Sequence, residues 1–126
     1  MIHGAVTEKI LKGCFQVSNE LGAGFVESVY EKALLIVLHE DGLNAVNQAP
    51  ITVEFRNKLV GNFCADLLVE NEVIVELKAV SSLCPEHVAQ TINYLKATGK
   101  QVGLLVNFGK PRIEYRRINN TLDQIS

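Results

Sequence analysis

Apolar residues follow two different periods along this chain, and the period separates helices from strands. Over about 5–21, 26–40 and 86–98 they recur every three or four positions, which is typical of amphipathic helices. Each of these segments is followed by a glycine that can end a helix, namely Gly22, Gly42 and Gly99. The pattern therefore predicts three helices.

The other apolar segments are shorter and favour extended chain. Residues 51–55 and 113–118 alternate apolar and polar positions, as in strands with one covered face. Residues 73–79 and 102–108 are almost continuously apolar, as in strands covered on both faces. Together with 59–69 they predict five strands, separated by polar turns.

The predicted elements follow one another in the order ααβββαββ. The second and third strands are joined by Glu70-Asn71-Glu72 and form an antiparallel hairpin. The helix between the third and fourth strands makes a crossover connection, which places those two strands parallel. We therefore predict an α/β fold of the α+β kind, one domain over residues 1–126 with a central mixed β-sheet flanked by helices.

Length and composition agree with one folded domain. The chain has 126 residues, of which 48% are apolar, enough for a hydrophobic core. No apolar stretch is long enough to span a bilayer, and the first residues lack the layout of a signal peptide, so we expect a cytoplasmic protein without a membrane partner. Cys14, Cys64 and Cys84 are far apart in apolar surroundings and are predicted to be reduced core thiols.

The net charge of −2 hides an uneven distribution. Residues 1–95 hold six Lys and Arg against twelve Asp and Glu, whereas residues 96–126 hold six against two. A basic edge of this kind is a candidate phosphate track for nucleic acid, although a solvated face has the same composition. The six residues are Lys96, Lys100, Lys110, Arg112, Arg116 and Arg117.

The strongest chemical signal lies on the central hairpin. Glu76 and Lys78 are two apart on one strand and point to the same side of it. A three-residue loop pairs Val69 with Val73 and places Asp66 opposite Glu76, whereas a two-residue loop turns Asp66 away. Register therefore decides whether two carboxylates and an ammonium meet.

This combination is the one that metal-dependent phosphodiester hydrolysis needs. Asp66 and Glu76 supply oxygen ligands for Mg²⁺ or Mn²⁺, which activates the attacking water. Lys78 offers a positive charge to the transition state. A structural ion pair in a buried strand has the same residues, and the pattern alone leaves both interpretations open.

Several short motifs follow one another along the chain: GFVESVY at 24–30, DLLVE at 66–70, IVELKAV at 74–80, HVAQ at 87–90 and YL at 94–95. In order and spacing they resemble the GxxExxY family of the PD-(D/E)xK nuclease-like superfamily. The similarity runs from about Leu21 to Gly109.

The resemblance implies a restriction-endonuclease-like core and four catalytic residues. Glu27 is implied to be the helix-borne acidic residue that reaches the metal, Asp66 and Glu76 its main ligands, and Lys78 the catalytic lysine. Ala65 stands where the superfamily has a proline. Glu27 also lies near a helix N-terminus, where charge capping is its alternative role.

The third helix carries three auxiliary candidates. Gln90 and Tyr94 are four apart on one face, and His87 lies on the same stripe. The Gln-x-x-x-Tyr pair resembles a helix motif of RecB-like nucleases, which contacts the lysine or the nucleic acid, although packing and mutual hydrogen bonding give the same pattern. Tyr30 is expected to pack or hydrogen bond rather than react.

These residues together predict a divalent-metal-dependent nuclease, a phosphodiesterase that hydrolyses DNA or RNA. A catalytically inactive nuclease-like module, binding nucleic acid or another protein, is the alternative. A two-fold homodimer is expected if the substrate has two strands.

Overall fold

The computed structural model describes residues 2–120 and contains the eight elements in the predicted order. The helices are α1 (Gly4–Leu21), α2 (Glu27–Glu40) and α3 (Pro85–Thr98). The strands are β1 (Ala45–Phe55), β2 (Lys58–Val69), β3 (Val73–Lys78), β4 (Val102–Asn107) and β5 (Glu114–Asn119). The predicted order ααβββαββ is confirmed.

The five strands form one mixed sheet in the order β1-β2-β3-β4-β5. β3 and β4 are parallel, as the crossover through α3 predicts, and the other neighbours are antiparallel. Residues of α1 and α2 pack on one face of the sheet in a core that includes Leu77. Residues of α3 pack on the other face in a smaller core that includes Ile74. Because side chains alternate along β3, Glu76 lies on the α3 face.

β1 begins six residues earlier than the predicted 51–55 and contains Pro50. A proline cannot donate to a ladder, and β1 tolerates it because it is an edge strand that pairs with β2 alone in the described sheet. The pairing passes from Asn47 with Leu67 to Ala49 with Ala65. Between them, Gln48 has a left-handed φ of 51°. The polar, proline-containing segment gave no alternating signal, which is why the prediction missed it.

The prediction of three core thiols is wrong for one of them. Cys14 is buried, and burial raises its pKa to about 12. Cys84 is half-buried, but Cys64 is exposed. Cys64 lies on the part of β2 that extends past the β3 pairing, so no third strand or core covers it. All three are free cysteines.

The loop between β2 and β3 has the predicted three residues and pairs Val69 with Val73. Glu70 and Asn71 both have φ near 54°, which lets so short a loop reverse the chain. The β2–β3 ladder contains three pairs and ends at Leu67 with Val75. Within residues 2–120, none of the helices has the length and apolar character that crossing a membrane requires.

Candidate active site

Asp66 and Glu76 face each other where the β2–β3 ladder ends. The backbone N–H of Asp66 donates to Oε2 of Glu76 at 2.8 Å, and the backbone N–H of Leu77 donates to Oδ2 of Asp66 at 2.8 Å. Each carboxylate therefore occupies the place that a carbonyl of the opposite strand has in a regular ladder. The arrangement brings the two side chains together and opens the sheet at this point.

Burial makes this carboxylate pair electrostatically strained. Glu76 is 3% exposed, and burial followed by repulsion from Asp66 raises its pKa to about 8. The pKa of Asp66 is also raised, mainly by burial, although the hydrogen bond from Leu77 opposes the shift. Lys78 lowers the pKa of both carboxyl groups. A positive charge placed between the two carboxylates would relieve this strain.

Lys78 follows Glu76 on the same face of β3 and is half-buried. Its Nζ lies 3.5 Å from Oε1 of Gln90 on α3, at the limit for a hydrogen bond. The ammonium is near enough to Asp66 and Glu76 for its charge to lower the pKa of both, and the neutral amide contact leaves that charge intact.

α2 contributes two acidic residues to the surroundings of the pair. Glu27 is exposed in the first turn of α2, and its charge raises the pKa of both Asp66 and Glu76. Glu31, one turn later, is buried and accepts hydrogen bonds from Nδ2 of Asn47 at 3.3 Å and Nε2 of Gln48 at 2.7 Å. Repulsion from Glu31 contributes more to the raised pKa of Asp66 than repulsion from Glu27 does.

Sequence reasoning missed Glu31. A signal was present, because Glu31 lies three residues before Leu34 and seven before Leu38, on the buried stripe of α2. A carboxylate on an apolar stripe needs partners. The two amide side chains come from the segment of β1 that was not predicted as a strand, so their proximity could not be inferred.

Tyr30 holds the N-terminal end of α2 in place. Its hydroxyl donates to the carbonyl of Gly22 at 2.6 Å and accepts from the N–H of Phe25 at 3.2 Å. Its ring stacks on Phe108 with centroids 4.7 Å apart. Tyr30 is fully buried, and the expectation that it packs and hydrogen bonds is confirmed. It positions the turn that carries Glu27.

Two of the three auxiliary residues on α3 lie near the carboxylate pair. Gln90 contacts Lys78, and the pKa of Tyr94 is raised by burial and then by Glu76 and Asp66. His87 has a different neighbourhood, because its Nδ1 accepts the backbone N–H of Cys84 at 3.1 Å and completes a capping box at the start of α3.

A second polar group missed by sequence reasoning holds the chain just after Lys78. Asn107 is fully buried and bonds both the N–H and the carbonyl of Val80, at 3.0 and 2.9 Å. Its Nδ2 also donates to Glu114, whose carboxylate accepts the N–H of Leu83. Gly109 packs so closely that a Cβ there would lie 2.1 Å from the carbonyl oxygen of Val80.

The structure does not bring the six basic candidates onto one edge. Arg116 pairs with Leu105 and Arg117 with Leu104, so their side chains point to opposite faces of the sheet. Arg117 contacts Thr7 of α1 and the backbone of Ile2. The other four are also dispersed: Lys96 is exposed on α3, Lys100 binds Asn71 at the β2–β3 loop, Lys110 is 3.8 Å from Glu114, and Arg112 is exposed before β5.

Within residues 2–120, no three His, Cys, Asp or Glu side chains converge as a ready metal site. The donor set nevertheless fits a hard divalent cation. Mg²⁺ is commonly held by one or two carboxylates with water and substrate oxygens completing its shell. Asp66 and Glu76 match that pattern, whereas the closed four-ligand sites of zinc have no counterpart there.

A scan against protein-family models matches residues 4–118 to the PD-(D/E)XK nuclease superfamily. The chain belongs to this superfamily. The match covers every described strand except the last residue of β5, together with all three helices. Members of the superfamily generally use divalent metal ions.

Solved structures show the same fold. The crystal structure of SSO0001 is similar with a TM-score of 0.58 and 23% identity, covering 74% of this chain and 50% of that one. An alkaline exonuclease (LHK-Exo) from Laribacter hongkongensis is similar with a TM-score of 0.52 and 17% identity, covering 72% and 54%. This chain thus spans about half the length of either. A search of curated proteins found no significant match. The predicted restriction-endonuclease-like core is confirmed.

Proposed function

We propose that the protein is a nuclease that hydrolyses DNA or RNA phosphodiester bonds with Mg²⁺ or Mn²⁺, and that it is a GxxExxY member of the superfamily. The observation that carries the proposal is the contact between Asp66 and Glu76 at the point where the β2–β3 ladder ends. A buried carboxylate, Glu76, held against a half-buried one, Asp66, carries a cost that a bound cation offsets. Lys78 stands beside them with its ammonium near Gln90.

In this proposal Asp66 and Glu76 bind the ion, and Glu27 reaches it directly or through water. A bound divalent ion supplies a water of lowered pKa and neutralises charge on the phosphoryl oxygens. Lys78 donates hydrogen bonds to the scissile phosphate and stabilises the negative charge that develops in the transition state. Gln90 orients Lys78, and Asn107 fixes the backbone that follows it.

The first experiment is a calorimetric Mn²⁺ titration of the wild type and Asp66→Asn, because metal binding can be measured without knowing the substrate. We expect saturable binding to the wild type, weakened at least roughly tenfold in the variant, since one of two carboxylate ligands is lost. Identical weak heats from both proteins up to millimolar metal would refute the metal site.

The second experiment measures hydrolysis of labelled DNA and RNA with Mn²⁺. We expect Lys78→Ala to lower the rate by about 100-fold or more while Mn²⁺ binding persists. Lys58→Ala, an exposed lysine at the start of β2, is the matched control and should retain full activity. EDTA should abolish hydrolysis. Hydrolysis that survives EDTA would contradict the proposal.

A further inference from the structure

A groove of about 750 Å³ lies between the β1–β2 hairpin and α3. Val53, Glu54 and Phe63 line it from the hairpin, and Gln90, Asn93 and Tyr94 are among the α3 residues that line it from the other side. Its volume is within the range of roughly 300–1,000 Å³ found for pockets that bind small molecules. A nucleotide fits in a space of this size.

The groove is continuous with the candidate active site. Gln90 lines the groove and lies 3.5 Å from Nζ of Lys78. Tyr94 lines it as well and is close enough to Asp66 and Glu76 for their charges to act on its hydroxyl. A substrate whose phosphate lies at the carboxylates can therefore extend into the groove.

Phe63 presents an aromatic surface to this groove. Its side chain is 48% exposed, and its ring is tilted by 42° against Tyr94 with centroids 5.9 Å apart. The ring lies over Gly61, where a Cβ would come within 2.9 Å of Phe63 Cε2. This close packing holds the ring in place, and a fixed, exposed ring is well suited to stack on a planar group.

The charges of the groove favour a base over a phosphate. Glu54 and Glu86 contribute two carboxylates, whereas Lys96 contributes one ammonium. Carboxylates repel phosphates but accept hydrogen bonds from the exocyclic amino groups of bases. The apolar walls, with Val53 and Ala89 among them, are likewise suited to a base.

We infer that this groove binds an unpaired nucleobase stacked on Phe63, so that the substrate class is single-stranded nucleic acid or an unpaired end. The inference rests on the proposed function for the position of the neighbouring phosphate, at Asp66 and Glu76. A base inside a duplex is stacked on its neighbours and cannot offer its face to the protein, whereas an unpaired base can.

The test measures binding of labelled single-stranded 12-mers of DNA and RNA, and of the same sequences as blunt duplexes, by fluorescence anisotropy in EDTA. We expect Phe63→Ala to weaken single-strand binding by roughly 5- to 100-fold and to leave duplex binding unchanged. Phe63→Trp should retain single-strand binding. Phe55→Ala is the matched control, because Phe55 is equally exposed on the same hairpin but does not line the groove.

Two results would overturn the inference: equal affinity of the wild type for single strands and duplexes, or unchanged single-strand binding by Phe63→Ala. Hydrolysis with Mn²⁺ is measured separately on the same oligonucleotides. Phe63-dependent binding without hydrolysis would refute the proposed function and support the groove. Hydrolysis together with single-strand binding that Phe63→Ala leaves unchanged would refute base binding in the groove and support the proposed function.

Discussion

The β2–β3 hairpin has two halves that satisfy their backbone groups differently. Near the loop, Leu67–Val69 and Val73–Val75 pair in a regular ladder with side chains buried in the two cores. Past Leu67, the carboxylates of Asp66 and Glu76 accept the backbone N–H groups of the opposite strand. Regular pairing stops here, and the backbone N–H groups instead bind two acidic side chains, Asp66 on β2 and Glu76 on β3.

The difference shows why a carboxylate is tolerated at position 76 and not one residue earlier. Glu76 is 3% exposed but accepts a backbone hydrogen bond and lies beside Lys78. Val75 is fully buried in the core beneath α1 and α2 and pairs with Leu67. Both side chains are almost completely buried, so the hydrogen-bond and charge partners decide whether a position can accommodate a carboxylate.

The largest expected effect comes from placing a carboxylate in the regularly paired part of the β2–β3 hairpin. Val75→Asp places a carboxylate among apolar side chains without a partner, and we expect a loss of more than about 4 kcal/mol in the free energy of unfolding. Circular dichroism should show no cooperative thermal transition. Val75→Ala should lose roughly 2–3 kcal/mol and remain folded. A Val75→Asp protein that melts like the wild type would contradict the comparison.

The chain should tolerate little added volume just after β3, where Gly109 packs against the backbone of Val80. Gly109→Ala forces a Cβ into the backbone of Val80, and we expect a loss of roughly 3 kcal/mol or more, measured by urea unfolding. Gly99→Ala is the matched control. Gly99 has a left-handed φ of 73°, which strains any residue that carries a Cβ, but it has open space around it. Its substitution should therefore cost about 1 kcal/mol. Equal costs at both glycines would refute the close packing.

The burial of Glu76 beside Asp66 should make the free energy of unfolding depend on pH. The pKa of Glu76 is about 8 in the folded protein against 4.5 for the ordinary group, so the folded state binds more protons between these values. In metal-free buffer, stability should therefore fall as pH rises from about 4.5 to 8. Glu76→Gln should reduce that fall and stabilise the protein at pH 8 by roughly 1–3 kcal/mol.

Urea unfolding in EDTA at pH 5 and pH 8 measures this effect. The exposed Glu8→Gln is the control and should keep the wild-type pH profile. Saturating Mn²⁺ should restore stability to the wild type at pH 8 and have less effect on Glu76→Gln. If the free energy of unfolding changed equally between pH 5 and pH 8 in the wild type and in Glu76→Gln, Glu76 would not be the source of the pH dependence.

The smallest expected effect is a difference in Mn²⁺ affinity between substitutions of Glu27 and Glu31, the two acidic residues of α2 near the site. We expect Glu27→Gln to weaken Mn²⁺ binding about tenfold, because Glu27 is proposed to reach the ion. Glu31→Gln should weaken it only about two- to threefold, since Asn47 and Gln48 already occupy its oxygens and its charge acts from a distance. Calorimetry at one pH measures both, and the reverse order would assign the metal to Glu31.

Much of the fold could be predicted because it depends on local pattern. The 3.6-residue period identified the helices, while alternation and short apolar runs bounded by polar turns identified the strands. The order of these elements implied the parallel pairing of β3 with β4. A three-residue loop pairing Val69 with Val73 was predicted to bring Asp66 to Glu76, and the structure has that pairing and that contact. The first half of β1 was missed because Asn47, Gln48 and Pro50 break the strand pattern.

The sequence by itself determined the order of the elements, a three-residue loop as one register of the central hairpin and the candidate carboxylate pair, since these depend on residues close together in the chain. The tertiary structure alone decided that the β2–β3 ladder ends at Leu67, that Glu31 and Asn107 flank the site, and that Arg117 contacts Thr7 of α1. These features join residues from separate elements. Their distances depend on packing and twist, which no local pattern encodes.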